Sequence, residues 1–392
     1  MTSHSKVREF FLSIGLLLLS TGFLAAGFGL MNTVLSLKLK LAGGSSMLIG
    51  FVAAVNFAGI FVGSLRASAF IKIVGYVNSF SVFAAIMAVT TMLPGVHENI
   101  YTLFSCRFIQ GFCLAGLYII IESWILCSMS EVFRGRALAM YMIVSYAGYS
   151  LGQAFLSEEI INSIVPFCIS SMLVISTIIP LTAFPVKPPV FSQHATIKIK
   201  TVYMASPAGF IGCVISGMMI SSIYSMFPIY VEEVVHNAEQ VAIIVAVALL
   251  VGGVLAQYSL GALSDKIDRR KMQVGLSFIF GCLLALFILL EYKSLIDFYV
   301  LVGIGAIIGI FSLTTFPISM NLVCDSLEKS EIIRGVECLA IAYAFGSIMG
   351  PIYVSYFMKI LGSYGFMASY MLLSLLTSII TILLRDHKKL KI

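Results

Sequence analysis

Charge is what this chain has least of. Charged residues make up 11% of its 392 positions, against about 25% in soluble domains. Apolar residues make up 60% and the mean hydropathy is +1.04, which excludes an ordinary soluble fold. Histidine is nearly as scarce: there are five, and none falls inside a long apolar run. The eight cysteines form no C-x-x-C pair. Metal sites need closely spaced Cys and His ligands, so no metal site is read here, and the cysteines serve as small apolar filler. No G-x-x-x-x-G-K-[ST] occurs, which argues against ATP-driven pumping. No polar segment is long enough to hold a catalytic module, and no nucleophile–base set stands within the apolar runs. The chain therefore reads as a non-enzyme that needs no cofactor.

What is abundant is apolar runs about as long as a bilayer crossing, which takes roughly 20 residues. Twelve recur, at 10–37, 47–66, 76–95, 100–127, 137–157, 164–184, 206–231, 240–263, 273–291, 297–323, 336–358 and 364–385. The first is longer than the 7–15 residues of a signal-peptide core and has no clear cleavage site after it, so it is expected to be retained. Pro185-Val-Lys-Pro-Pro189 opens the one connection that combines length with helix breakers. The expected architecture is an all-α integral membrane protein of twelve transmembrane helices in two pseudo-symmetric six-helix bundles. The first bundle takes 1–185, a cytoplasmic linker 186–205, and the second bundle with a short basic tail 206–392.

The net charge of +6 follows from topology rather than from nucleic-acid binding. With an inside amino terminus and alternating spans, nineteen of the 24 basic residues fall inside and four outside, and Arg107 lies within a span. That asymmetry obeys the positive-inside rule. It places both termini in the cytoplasm, in the inner (plasma) membrane, with the lipid bilayer as the main partner and a basic tail beside anionic lipid.

The halves echo each other at offsets near 200 residues. Gly22-Phe23 matches Gly209-Phe210, and Gly63-Ser-Leu65 matches Gly261-Ala-Leu263. Arg134-Gly135 matches Arg334-Gly335, and Gly148-x-x-x-Gly152 matches Gly346-x-x-x-Gly350. Six-plus-six duplication is the mark of a two-lobed transporter with its site between the lobes. The small-xxx-small pairs let helices approach closely, either as plain packing or as a sliding seam.

Several of these residues carry a family resemblance. Gly261-Ala-Leu-Ser-Asp265-Lys-Ile-Asp268-Arg269-Arg270-Lys271 resembles the G-x-L-a-D-r-x-G-R-[RK] loop of the major facilitator superfamily, with Asp268 in the place of glycine. The first-half copy carries Arg66 where that family has aspartate. Arg107-x-x-Gln110-Gly111 is similar to the family's R-x-x-Q-G element. Together with Glu122-Ser-Trp124 it resembles a poorly characterised bacterial branch, which implies no particular substrate. The resemblance spans the whole chain and implies a monomeric carrier whose spans 1, 4, 7 and 10 surround the cavity. The span-5 antiporter signature is reduced to Gly148-x-x-x-Gly152-Gln153, so drug/proton antiport finds no support there.

Span 4 carries the sharpest lead. Arg107 lies about 9–10 Å in from the outer end of its span at 1.5 Å per residue. An arginine at that depth is costly and should face protein or water. Glu122 follows fifteen positions later on nearly the same helix face, about 22 Å away along the axis. Arg107 is the candidate for binding an anionic group and Glu122 for carrying a proton; the alternative is that each satisfies neighbouring helix ends. Asn32, Tyr118, Gln153, Tyr224 and Asn321 are the further candidates for the cavity wall, and Trp124 is expected to anchor at the interface. At the cytoplasmic ends Asp265 is expected to meet Arg134 or Arg136, and Arg66 to meet the acidic 10–11 loop with Glu331. Asp268, Arg269 and Arg270 belong to the same gate. Solvated charges that only set topology are the alternative.

The function expected is a secondary active transporter working by alternating access, proton-coupled in symport, for a small polar solute. Arg107 favours an anionic or zwitterionic one. A passive facilitator, or a transporter-like sensor or scaffold without transport, is the competing reading, to which the missing aspartate at Arg66 gives room.

Overall fold

The computed structural model describes the backbone at residues 3–97, 99–128, 131–182, 199–256, 267–327 and 331–384, and the side chains of these except 3–14, 126–128, 131–136 and 333–334. Asp265, the side chains of Arg134 and Arg136, most of the expected linker and the basic tail therefore lie outside the described residues.

Helices account for nearly everything described. In lipid every backbone N–H and C=O must be satisfied within the protein, and helices do this locally. The first half holds α1 (Ser3–Leu41), α2 (Ser46–Val74), α3 (Tyr76–Val96), α4 (Ile100–Ser128), α5 (Glu131–Gln153), α6 (Val165–Ser176) and the short α7 (Ile178–Thr182). The second holds α8 (Ile199–Ala205), α9 (Pro207–Ser225), α10 (Phe227–Val235) and α11 (Ala238–Leu250), which runs into a π-helical turn at Val251–Ala256. Then come α12 (Arg269–Tyr292), α13 (Phe298–Cys324), α14 (Ile332–Leu361) and α15 (Tyr364–Leu383). Among the described residues eleven stretches are long and apolar enough to cross a membrane. α5 completes the twelve that the sequence predicts.

Three expected spans are not single straight helices. Span 6 breaks at Thr177 and span 7 at Met226. A proline stands just beyond each break, Pro180 and Pro228, and neither can donate to the carbonyl four residues back. Span 8 widens into the π turn at Gly252-Gly253. The fifth helix stops at Gln153 and turns, four residues short of the expected end.

The chain divides into two compact units, Met1–Lys38 with Val55–Ser192, and Leu39–Ala54 with Gln193–Ile392. The tip of the first hairpin is thus counted with the second unit. In the first unit the glycine pair of α5 packs on α1. A Cβ on Gly148 would lie 2.8 Å from the Gly22 carbonyl oxygen, and one on Gly152 would lie 2.3 Å from that of Ala26. In the second unit the pair of α14 packs on α9 in the same way. There the distances are 2.0 Å from Gly346 to the Val214 oxygen and 2.2 Å from Gly350 to the Met218 oxygen. The internal repeat read from the sequence is therefore a repeat of helix–helix contacts.

Candidate functional site

In the first unit a polar column runs along the face of α4 that the sequence singles out. At one end is Arg107, 2% exposed. Arg107 Nη2 donates to Asn32 Oδ1 on α1 at 2.5 Å, and Nη1 to Gln110 Oε1 at 3.0 Å. Both acceptors are oriented in turn. Asn32 Nδ2 donates to the Phe28 carbonyl at 3.0 Å, and Gln110 Nε2 to the Thr90 carbonyl of α3 at 2.8 Å. Asn56 Nδ2 on α2 donates to the Arg107 carbonyl at 2.9 Å. No carboxylate pairs with this cation among the described residues. Amide oxygens take the place of water around it, and only Nε is left without a partner.

One helical stretch further along α4, the column becomes aromatic. The Tyr118 and Tyr149 hydroxyls share a hydrogen bond of 2.5 Å. Tyr149 meets Phe28 edge-on with ring centroids 6.0 Å apart, and Tyr118 meets Tyr141 edge-on at 6.5 Å. At the other end the Tyr141 hydroxyl donates to Glu122 Oε1 at 2.9 Å. That is the only hydrogen bond to Glu122 among the described residues, and no basic side chain pairs with it there. Glu122 is exposed and Tyr118 half-buried, whereas Tyr141 and Tyr149 are buried. The sequence reading missed Tyr141 and Tyr149. Their signal was present: Tyr141, Ser145, Tyr149 and Gln153 stand four residues apart, a polar stripe at helical spacing.

The remaining expected residues scatter. Gln153 is buried and donates from Nε2 to the Tyr149 carbonyl at 3.2 Å, while its Oε1 has no partner. Tyr224 on α9 and Asn321 on α13 are half-buried in the second unit. Trp124 is not an interfacial anchor: it is fully buried, its ring 6.2 Å from that of Tyr76. Packing between α3 and α4 claims its apolar surface, which the sequence could only place near a helix end.

The expected gate residues sort by unit. Arg66 is exposed on α2, with no partner among the described residues. Glu331 is half-buried at the start of α14. Within the second unit Asp268 caps α12 by accepting from the Lys271 amide at 3.0 Å. That role explains why an aspartate serves in the place of glycine. Arg269 pairs with Asp325 at 2.5 Å, and Arg270 donates to the Leu384 carbonyl.

A second cluster, unforeseen, lies at the opposite ends of the second unit's helices. Glu291 accepts from Ser363 Oγ at 2.5 Å and from the Tyr230 hydroxyl at 3.3 Å, and Lys40 of the hairpin tip pairs with Glu233. Gly50 seats the same tip on α14, where an added Cβ would lie 2.7 Å from the Pro351 carbonyl oxygen. Reversing Lys40→Glu alone is expected to lower the thermal midpoint, by on the order of 1 kcal/mol for a partly buried pair. Adding Glu233→Lys should restore it. A double mutant less stable than either single one would refute the pairing.

Comparison with known proteins agrees with this architecture. Sequence relatives include the uncharacterized MFS-type transporter YcaD of Salmonella arizonae, 26% identical over 88% of this chain and 89% of that protein. YcaD of an Escherichia coli O45:K1 strain is 27% identical over 92% and 91%. Solved structures of like fold include the nucleoside transporter NupG, with TM-score 0.76 and 14% identity over 95% of this chain and 98% of that one. A D-xylose-proton symporter gives TM-score 0.75 and 14% identity over 97% and 98%. The profile of the Major Facilitator Superfamily matches residues 17–290 and 209–391. With that profile covering nearly its whole length, and a repeated helix packing that the two halves share, this multi-pass membrane chain belongs to the Major Facilitator Superfamily of transporters and is not an enzyme.

Proposed function

We propose that this chain is a secondary active transporter that moves a small polar solute across the inner membrane by alternating access, coupled to protons through Glu122. One observation carries the reading. A carboxylate inside a membrane span has open surface, one tyrosine hydroxyl for a partner, and no neighbouring cation among the described residues. A carboxylate left against hydrocarbon costs about 2.5–3.5 kcal/mol even on the mild insertion scale. Glu122 must therefore border water, carry a proton, or meet a substrate group. Carrying a proton and meeting a substrate group are transport roles.

Arg107 takes a supporting part. Its guanidinium is occupied by Asn32 and Gln110. A small zwitterion cannot bridge it to Glu122 across about 22 Å of helix axis. Within this column Tyr118 and Glu122 are the groups with surface to offer a solute. The basic-residue asymmetry supports cytoplasmic termini, and the chain works as a monomer in this reading.

Glu122→Gln is expected to lower proton-driven accumulation in liposomes at least tenfold, while the variant keeps the wild-type melting temperature within a few degrees. Full accumulation by Glu122→Gln would remove the proton role. Equilibration without accumulation by the wild-type protein would make it a passive facilitator.

A further inference from the structure

The chemistry around Glu122 is one-sided. Its carboxylate accepts and cannot donate when ionised. The Tyr141 hydroxyl spends its proton on Glu122 Oε1 and keeps its lone pairs. The Tyr118 and Tyr149 hydroxyls share one hydrogen bond, which uses one of their two protons and leaves lone pairs on both oxygens. Tyr118 precedes Glu122 by one helical turn and, like it, has open surface. Its ring leans edge-on against that of Tyr141. The site is thus rich in acceptors and in aromatic rings, and it has one negative charge that no described side chain neutralises.

Such a site selects its occupant. A carboxylate-bearing solute would bring a like charge to Glu122, which disfavours both. A neutral polyol would leave the charge of Glu122 uncompensated. A protonated amine fits on every count. An ammonium has three N–H donors and no acceptor, pairs with a carboxylate, and is attracted to a tyrosine face within about 6 Å of the ring centroid.

Resting on the transporter reading above, we propose that Glu122 and Tyr118, backed by Tyr141 and Tyr149, recognise the protonated amino group of an organic amine substrate. Glu122 supplies the ion pair and one hydrogen bond. Tyr118 supplies the ring. Tyr141 positions the carboxylate by holding one of its oxygens.

The test uses the purified full-length protein in detergent, with melting temperature followed against tyramine and putrescine, and against benzoate, glutarate and xylose. Tyramine and putrescine are expected to raise the midpoint in a saturable way, and the other three to leave it unmoved. Glu122→Gln should weaken the tyramine effect at least tenfold in the concentration required. Tyr118→Leu should weaken it several-fold, and Tyr118→Phe, which keeps the ring, less than Tyr118→Leu. Should Glu122→Gln fail to fold, the Tyr118 pair still decides the matter. The proposal falls if amines leave the wild-type midpoint unchanged, if benzoate or xylose raises it instead, or if Tyr118→Leu and Glu122→Gln respond to tyramine as the wild type does. Flux in liposomes separates this proposal from the reading beneath it. Glu122-dependent tyramine binding without tyramine flux upholds the amine site and removes transport. Flux of a non-amine solute without amine binding upholds transport and removes the amine site.

Discussion

Gly346→Ala is expected to remove most of the folded protein. The added Cβ would lie 2.0 Å from the Val214 carbonyl oxygen and 2.8 Å from the carbonyl carbon, inside any allowed contact. Both are backbone atoms of α9, so no rotamer change relieves the clash. The opposing surface is equally tight, since a Cβ on Gly217 would lie 2.1 Å from the Tyr343 carbonyl oxygen of α14. Two helices that meet backbone to backbone can only separate. Without a hydrophobic drive in lipid, that close packing is much of what joins them. Overpacking a well-fitted interior costs about 1–3 kcal/mol, occasionally more, and this site lies at the upper end. The readout is the monodisperse fraction and the melting temperature in detergent. Gly303 on α13 and Gly275 on α12 are the controls, because an added Cβ there meets nothing within 4 Å. Alanine at either should be neutral or add about 0.5–1 kcal/mol through reduced chain entropy. A Gly346→Ala protein as stable as the Gly303→Ala protein would show that α9 and α14 do not meet at this spacing.

The second large effect is expected at Arg107. Truncation to Met leaves Asn32 Oδ1 and Gln110 Oε1 without their donors inside the helix bundle. Each stranded acceptor costs about 1–3 kcal/mol, so a loss of about 2–6 kcal/mol is expected. Lysine should not rescue it, because a single ammonium on a flexible stem does not reproduce the forked geometry that reaches two acceptors on different helices. Changing Asn32 to Leu in the Arg107→Met background should recover part of the loss, since removing both partners leaves less to desolvate. Thermal melts of the three variants decide this. A stable Arg107→Met protein that has lost transport would instead make the guanidinium a substrate contact.

Much of this was legible in one dimension. Span number, the six-plus-six division and the family motifs follow from local composition and spacing, and the lipid solvent enforces them residue by residue. The stripe from Arg107 to Glu122 was legible too, because helical periodicity alone puts both on one face. Partners were not. Nothing in sequence spacing says that Arg107 faces Asn32, 75 positions away, or that Tyr141 reaches Glu122 from the next helix. Nor does it say that Trp124, near a helix end, is sealed against Tyr76.

The amino-acid order by itself determined that this chain lives in lipid as two related sets of helices, because the cost of exposing peptide groups and charges to hydrocarbon acts on each segment alone. Only the tertiary structure decided which intramembrane charge is spent on holding helices together and which is left with open surface. That outcome depends on whether a side chain's hydrogen-bond partners arrive from neighbouring helices, and packing alone supplies them: Arg107 received amide oxygens from its surroundings, and Glu122 received one phenol.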